Sequence, residues 1–165
     1  MLDHLWAGWR GEYVATADEL NQGDACVFCR ILGSDLPDEQ TYVLWRGEKV
    51  FAILNKYPYT GGHLMVMPTR HVGELDQLDD DEYDELFRAA RTATAALKAA
   101  YSPQGFNLGA NLGKAGGAGV PGHLHVHVLP RWSGDTNFMT TIGETRVLPE
   151  MLDDAWKKLK EAWPA

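Results

Sequence analysis

Between Gly122 and Arg131 the chain reads His123-Leu124-His125-Val126-His127-Val128-Leu129-Pro130, with histidine and aliphatic side chains in strict alternation. A period of two is the period of a β-strand, so this run satisfies its pattern only as a strand with one apolar face and one imidazole face. The spacing predicts a strand over 123–130, its aliphatic side in the core and successive imidazoles roughly 7 Å apart along the other side. Half of the six histidines of the chain would then line one short stretch of surface. One histidine on a wet face is ordinary polarity. Three in alternation, directly after a glycine-rich loop, mark a reactive surface.

The rest of the chain fits around that strand. Residues 1–25 carry three aromatics in Leu5-Trp6-Ala7-Gly8-Trp9-Arg10-Gly11-Glu12-Tyr13 and read as an irregular arm with a short helical turn. Strands are expected over 41–46, 49–54 and 63–68, the first two joined by a hairpin turn at Arg46-Gly47-Glu48. A long helix is expected from about 80 to 101. Asp79 followed by Glu82 is a capping box, Tyr83, Leu86, Phe87, Ala90, Thr94, Leu97 and Tyr101 repeat at helical spacing, and Ser102-Pro103 and Gly105 stop it. A strand over 106–112, a glycine loop over 113–122 and the histidine strand complete the centre. Leu152, Trp156, Leu159 and Trp163 mark an amphipathic C-terminal helix within an extension over 142–165. Strands first, one main helix and then more antiparallel strands imply an α+β fold, a meander sheet with a helix packed on one face.

A chain of 165 residues, 45% hydrophobic and 23% charged, fits a single soluble domain, 1–165. The net charge of -8 leaves no basic footprint for nucleic acid. No apolar run reaches a membrane span, and the N-terminal residues lack a signal-peptide core, so a cytoplasmic protein is expected. Cys26 and Cys29 are the two cysteines; they make no disulfide framework, and no βαβ pattern accompanies them as in thioredoxin-like proteins. Cys-x-x-Cys is also half of a zinc site that needs two further ligands.

Imidazole is nucleophilic at neutral pH while unprotonated, and crowding three of them disfavours charging all. A phosphate ester or anhydride is the natural target, and charge developing on its oxygens needs preorganised donors. The run from Asn111 to Gly122 supplies backbone N–H groups, including those of Gly117 and Gly119, while Asn107 and Asn111 add amide donors. Two apparent motifs fail their context. Gly117, Gly119 and Gly122 match a dinucleotide fingerprint, but a strand follows them where a helix is required. Gly113-Lys114 is followed by Ala115, where a P-loop needs Ser or Thr.

The run His123-Leu124-His125-Val126-His127-Val128-Leu129 resembles the signature of the histidine triad (HIT) nucleotide hydrolases and transferases, and the resemblance extends over roughly residues 26 to 141. It implies a HIT-like fold of five antiparallel strands with one long helix, here with an added C-terminal helix. It also implies homodimers paired through the helix and a strand. By resemblance His125 is the nucleophile that becomes nucleotidylated, and His127 contacts the phosphate and assists the leaving group. His123 supports the site or binds metal, Asn55 contacts ribose hydroxyls, and His63 lies near the pocket. The common Gly-Gln-Ser or Gly-Gln-Thr before the first histidine is Gly117-Ala118-Gly119 here, so a backbone N–H of Gly119 stands in for a hydroxyl.

In zinc-bearing members the Cys-x-x-Cys pair is joined by a histidine after the Pro-x-x step and by the first triad histidine. Carried over, the ligands are Cys26, Cys29, His71 and His123, a closed set holding a structural zinc that stabilises without catalysing. The flanks, Leu5 to Tyr13 and Pro130 to Met139, look like the branch of bacterial diadenosine tetraphosphate phosphorylases and hydrolases. That branch implies a purine nucleotide or dinucleoside polyphosphate as substrate, with the adduct resolved by phosphate or by water. A nucleoside phosphoramidase is the near alternative. A metal hydrolase with the triad as ligands is more distant, since no carboxylate lies in the His123–Pro130 strand, and a non-catalytic nucleotide-binding scaffold also stands.

Overall fold

The computed structural model describes residues 26–136 and 148–164; the arm over 1–25 and the flank residues 137–139 lie outside them. The described elements, in chain order, are α1 (Val27–Leu32), α2 (Asp38–Thr41), β1 (Val43–Arg46), β2 (Val50–Leu54), β3 (Leu64–Pro68), a 3₁₀ turn (Leu75–Gln77), α3 (Asp80–Tyr101), β4 (Gly105–Ala110), β5 (Val126–Arg131) and α4 (Leu152–Ala162). The strands form one sheet in the order β1-β2-β3-β5-β4, every neighbouring pair antiparallel. No helix among the described residues is long and apolar enough to cross a membrane.

Both faces of the central strands are covered, because β2 and β3 are apolar at every position and every position is buried. Val50, Ala52 and Leu54 of β2 and Leu64 and Val66 of β3 pack with Leu86, Ala89, Ala90, Ala93 and Leu97 of α3. Phe51, Ile53, Met65 and Met67 turn the other way, onto Phe28 and Ile31 of α1. The helix α3 is 22 residues long, and both halves of its capping box form: Asp79 accepts from the Glu82 N–H, and Glu82 accepts from the Asp79 N–H.

The structure corrects several expectations. The histidine strand begins at Val126, not at 123. Pro68, which ends β3, carries no N–H to continue a ladder; the Leu124 N–H instead donates to the Val72 carbonyl at 2.6 Å. The first strand starts at Val43, because Asp38–Thr41 close a helical turn, and β4 ends at Ala110. The short helix α1 was not expected; its six residues show no full amphipathic period. Tyr83 and Phe87, expected on the buried row of the long helix, are each 49% exposed, and the buried row is Leu86, Ala89, Ala90, Ala93, Ala96 and Leu97. Alanine lets the helix lie close on the sheet, which rotates the larger Tyr83 and Phe87 outward.

The two sheet edges differ. Along β1 the helix α4 satisfies outward carbonyls: Trp156 Nε1–H donates to Val43 O at 2.9 Å and Lys160 Nζ to Leu44 O at 2.8 Å. Beyond β4 no strand pairs among the described residues.

Candidate functional site

Four side chains from three separate segments converge at one end of the sheet. Cys26 is the N-cap of α1 and Cys29 lies in its first turn. His71 follows β3, and His123 precedes β5. Arg70 fixes the middle segment by pairing with the buried Glu82 carboxylate, at 2.9 Å (Nε to Oε1) and 2.6 Å (Nη2 to Oε2), while Nη2 also donates to the Gln77 carbonyl. Gly73 passes so close to the histidine segment that a Cβ there would meet Pro121 O at 2.7 Å.

The sulfur of Cys26 lies 3.4 Å from His123 Nδ1, that of Cys29 3.4 Å from His71 Nδ1 and 3.6 Å from His123 Nδ1. The four ligand atoms all lie within 4.8 Å of one another. Metal–ligand bonds of about 2.0–2.3 Å in a tetrahedron separate neighbouring ligand atoms by about 3.3–3.8 Å. The quartet therefore fits a metal ion. His123 Nε2–H donates to the Pro68 carbonyl at 2.8 Å, which leaves its Nδ1 lone pair aimed at the two sulfurs, the outer-shell support that metal-binding histidines usually have. Burial, and then the neighbouring Cys26, push the Cys29 thiol pKa up.

Two residues further on, the nitrogen roles reverse. His125 Nδ1–H donates to the His123 backbone carbonyl at 2.8 Å. A carbonyl only accepts, so the neutral ring carries its proton on Nδ1 and its lone pair on Nε2. His125 is 5% exposed, and desolvation lowers its pKa, opposed in part by that hydrogen bond. The ring stays neutral at neutral pH.

His127 is reached from His63, whose Nε2 lies 2.9 Å from His127 Nδ1. The Tyr59 backbone N–H donates to His63 Nδ1 at 3.0 Å. An amide N–H cannot reverse its role, so neutral His63 carries its proton on Nε2 and gives it to His127 Nδ1. Neutral His127 then carries its own proton on Nε2. Three tautomers follow from two backbone groups. The rings of His125 and His127 lie 5.0 Å apart, near perpendicular.

The remaining expected residues divide. Asn55 lies beside His63, its amide nitrogen 3.4 Å from His63 Nδ1, while its Oδ1 accepts the Tyr57 N–H. Asn111 Nδ2 donates to the Gly117 carbonyl at 3.4 Å, so it ties down the glycine loop, which turns through positive φ at Gly113 (65°) and Gly117 (85°). Asn107 stands apart from this group. In the β4–β5 register Gly109 is opposite His127 and Asn107 is opposite Leu129, and the Asn107 side chain is taken up by Arg131, which also pairs with Asp135. Trp132 packs edge-on against Tyr101, on the α3 side of the sheet.

The ring of Phe28, 5.4 Å from that of His123 and 5.5 Å from that of His125, and the ring of Tyr59, 4.5 Å from that of His63, were not singled out from sequence. Nothing local marks them; the apolar Val27-Phe28-Cys29 step beside the cysteines was the one available signal for Phe28.

Comparison with known proteins agrees with this geometry. Residues 37–134 match the HIT domain family model. The chain is 41% identical to the AP-4-A phosphorylase of Mycobacterium tuberculosis over 165 aligned residues, covering 98% of this chain and 85% of that protein. A solved histidine triad nucleotide-binding protein from Sulfolobus tokodaii superposes with a TM-score of 0.68 at 32% identity, covering 83% of this chain and 91% of the other. A Zn-bound histidine triad family protein from Mycobacterium smegmatis gives 0.69 at 27% identity, covering 84% and 93%.

Proposed function

The chain belongs to the HIT family, and from that premise we propose that this nucleotide-processing enzyme cleaves dinucleoside polyphosphates such as diadenosine tetraphosphate through a nucleotidyl-His125 intermediate. One observation carries the reading: buried His125 gives its Nδ1–H to the His123 carbonyl, which leaves the Nε2 lone pair available for attack. In the first step Nε2 forms a bond to an anhydride phosphorus, and the phosphorus–oxygen bond to the rest of the substrate breaks. The electron pair leaves on the departing phosphate oxygen, which accepts a hydrogen bond from His127 Nε2–H. In the second step water or inorganic phosphate attacks the adduct and frees His125. Asn55 meets ribose, and the N–H groups of the loop through Gly117 and Gly119 meet the phosphoryl oxygens. The 41% identity to a protein named for action on AP-4-A supports this substrate class.

The metal at Cys26, Cys29, His71 and His123 is zinc in this reading, as two thiolates and two imidazoles suit it. Four protein ligands close the site, so the ion supplies fold stability. The β4 edge, unpaired among the described residues, and the exposed Tyr83, Phe87 and Leu108 support a homodimer with a continuous sheet.

The test is intact-mass spectrometry during slow turnover of diadenosine tetraphosphate. A covalent nucleotidyl adduct is expected on the parent chain and not on His125→Gly. Turnover by the parent with no adduct, and undiminished turnover by His125→Gly, would overturn the nucleophile assignment.

A further inference from the structure

The two ends of the histidine cluster are bordered by aromatic rings of opposite character. Phe28 is buried against His123 and His125. At the other end the Tyr59 ring lies 4.5 Å from that of His63 and 5.7 Å from that of His127, and is 37% exposed. Tyr57, two residues earlier, is 56% exposed. Tyr59 thus presents part of its ring to the surface beside the two histidines.

The loop that carries Tyr57 and Tyr59, between β2 and β3, is held by five hydrogen bonds. Tyr57 N–H donates to Asn55 Oδ1 at 2.9 Å, Tyr59 N–H to His63 Nδ1 at 3.0 Å, and Thr60 Oγ1 to the Pro130 carbonyl at 3.2 Å. Asn55 N–H donates to the His63 carbonyl at 2.9 Å, and His63 N–H to the Thr60 carbonyl at 3.2 Å. The backbone that carries the rings is thus held in place, and the Tyr59 ring is packed on His63, with little ordering left to occur on binding.

Resting on the function proposed above, we propose that Tyr59, with Tyr57 beside it, stacks the base of the departing nucleotide and so selects substrates whose leaving group ends in a second nucleoside. Tyr59 borders His127, the donor to the leaving oxygen, from the exposed side. Every base has a π-face, so stacking reads the presence of the second base with little regard to its identity.

The test compares kcat/KM for diadenosine tetraphosphate with that for adenosine 5′-tetraphosphate, whose leaving group lacks the second nucleoside. Tyr59→Ala is expected to lower the preference for the dinucleoside about tenfold, in line with measured stacking contributions. Tyr59→Phe, which keeps the ring, is expected to hold it within about twofold. The same comparison is made by calorimetric binding of the two compounds to His125→Asn and to His125→Asn carrying Tyr59→Ala, where turnover plays no part. A preference unchanged in Tyr59→Ala, or lost equally in Tyr59→Phe, overturns the stacking role. A parent protein that turns over neither compound and forms no adduct overturns the proposed function instead, and the binding comparison still decides the stacking role.

Discussion

His123 and His125 sit two residues apart on the segment leading into β5, yet each offers the opposite ring nitrogen. The Pro68 carbonyl takes His123 Nε2–H and leaves Nδ1 facing the sulfurs of Cys26 and Cys29. The His123 carbonyl takes His125 Nδ1–H and leaves Nε2. The first ring thereby turns a lone pair to the cysteine sulfurs, as the proposed ligand requires, and the second keeps its Nε2 lone pair beside His127, as the proposed nucleophile requires. A histidine's role here is set by which of its nitrogens the backbone has already used. His123 belongs to both regions, since its side chain faces Cys26, Cys29 and His71 while its carbonyl orients the His125 ring.

The sharpest way to break this division is to remove one ring from each side. His125→Asn should lower turnover by on the order of 10⁴-fold or more, as loss of a nucleophile does, with metal content and melting temperature close to those of the parent. Equal loss of metal, read by elemental analysis, would show that the two regions are one. The reverse experiment is Cys29→Ser or chelation. Metal content should fall and the melting temperature should drop by about 10 °C, corresponding to a few kcal/mol in a chain of this size. A melting curve insensitive to chelation would deny the quartet a stabilising role.

His63→Ala removes the donor that sets His127. Turnover should fall roughly tenfold, the cost of leaving one buried polar group without its partner, while metal content stays unchanged. Nitrogen-15 NMR of the parent should show Nε2–H tautomers for His63 and His127 and an Nδ1–H tautomer for His125. An Nε2–H form of His125 would contradict the geometry.

The smallest effect is in pH. Burial lowers the pKa of His125, so its ring prefers to be neutral in the folded chain. Its contribution to stability is full above the unfolded-state value of about 6.5 and is lost as pH falls through the lowered folded value. The acid limb of kcat/KM should therefore lie below about 6.5. A limb above that value would mean that the attacking ring is not the buried one.

Much of this was legible in the chain because it depends on neighbours in sequence. The capping box at Asp79 and Glu82, the length of α3, and the apolar runs of β2 and β3 are local patterns, and they fold as they read. The register of the histidine segment did not follow, since its strand start depends on Pro68, which is remote in sequence. The outward turn of Tyr83 and Phe87 depends on how closely an alanine row meets the sheet. Asn107 carries the right functional group, but the antiparallel register sets it opposite Leu129 and within reach of Arg131.

Alternation alone determined that three imidazoles would share one side of a segment, because a two-residue period has no other extended solution. It did not determine which ring nitrogen each imidazole keeps free. That was decided by Pro68, Tyr59 and His63 arriving from other strands and loops, and by Cys26, Cys29 and His71 meeting His123. The physical reason is that a neutral imidazole has one proton and two nitrogens, and only a fixed hydrogen-bond partner brought by the fold chooses between them.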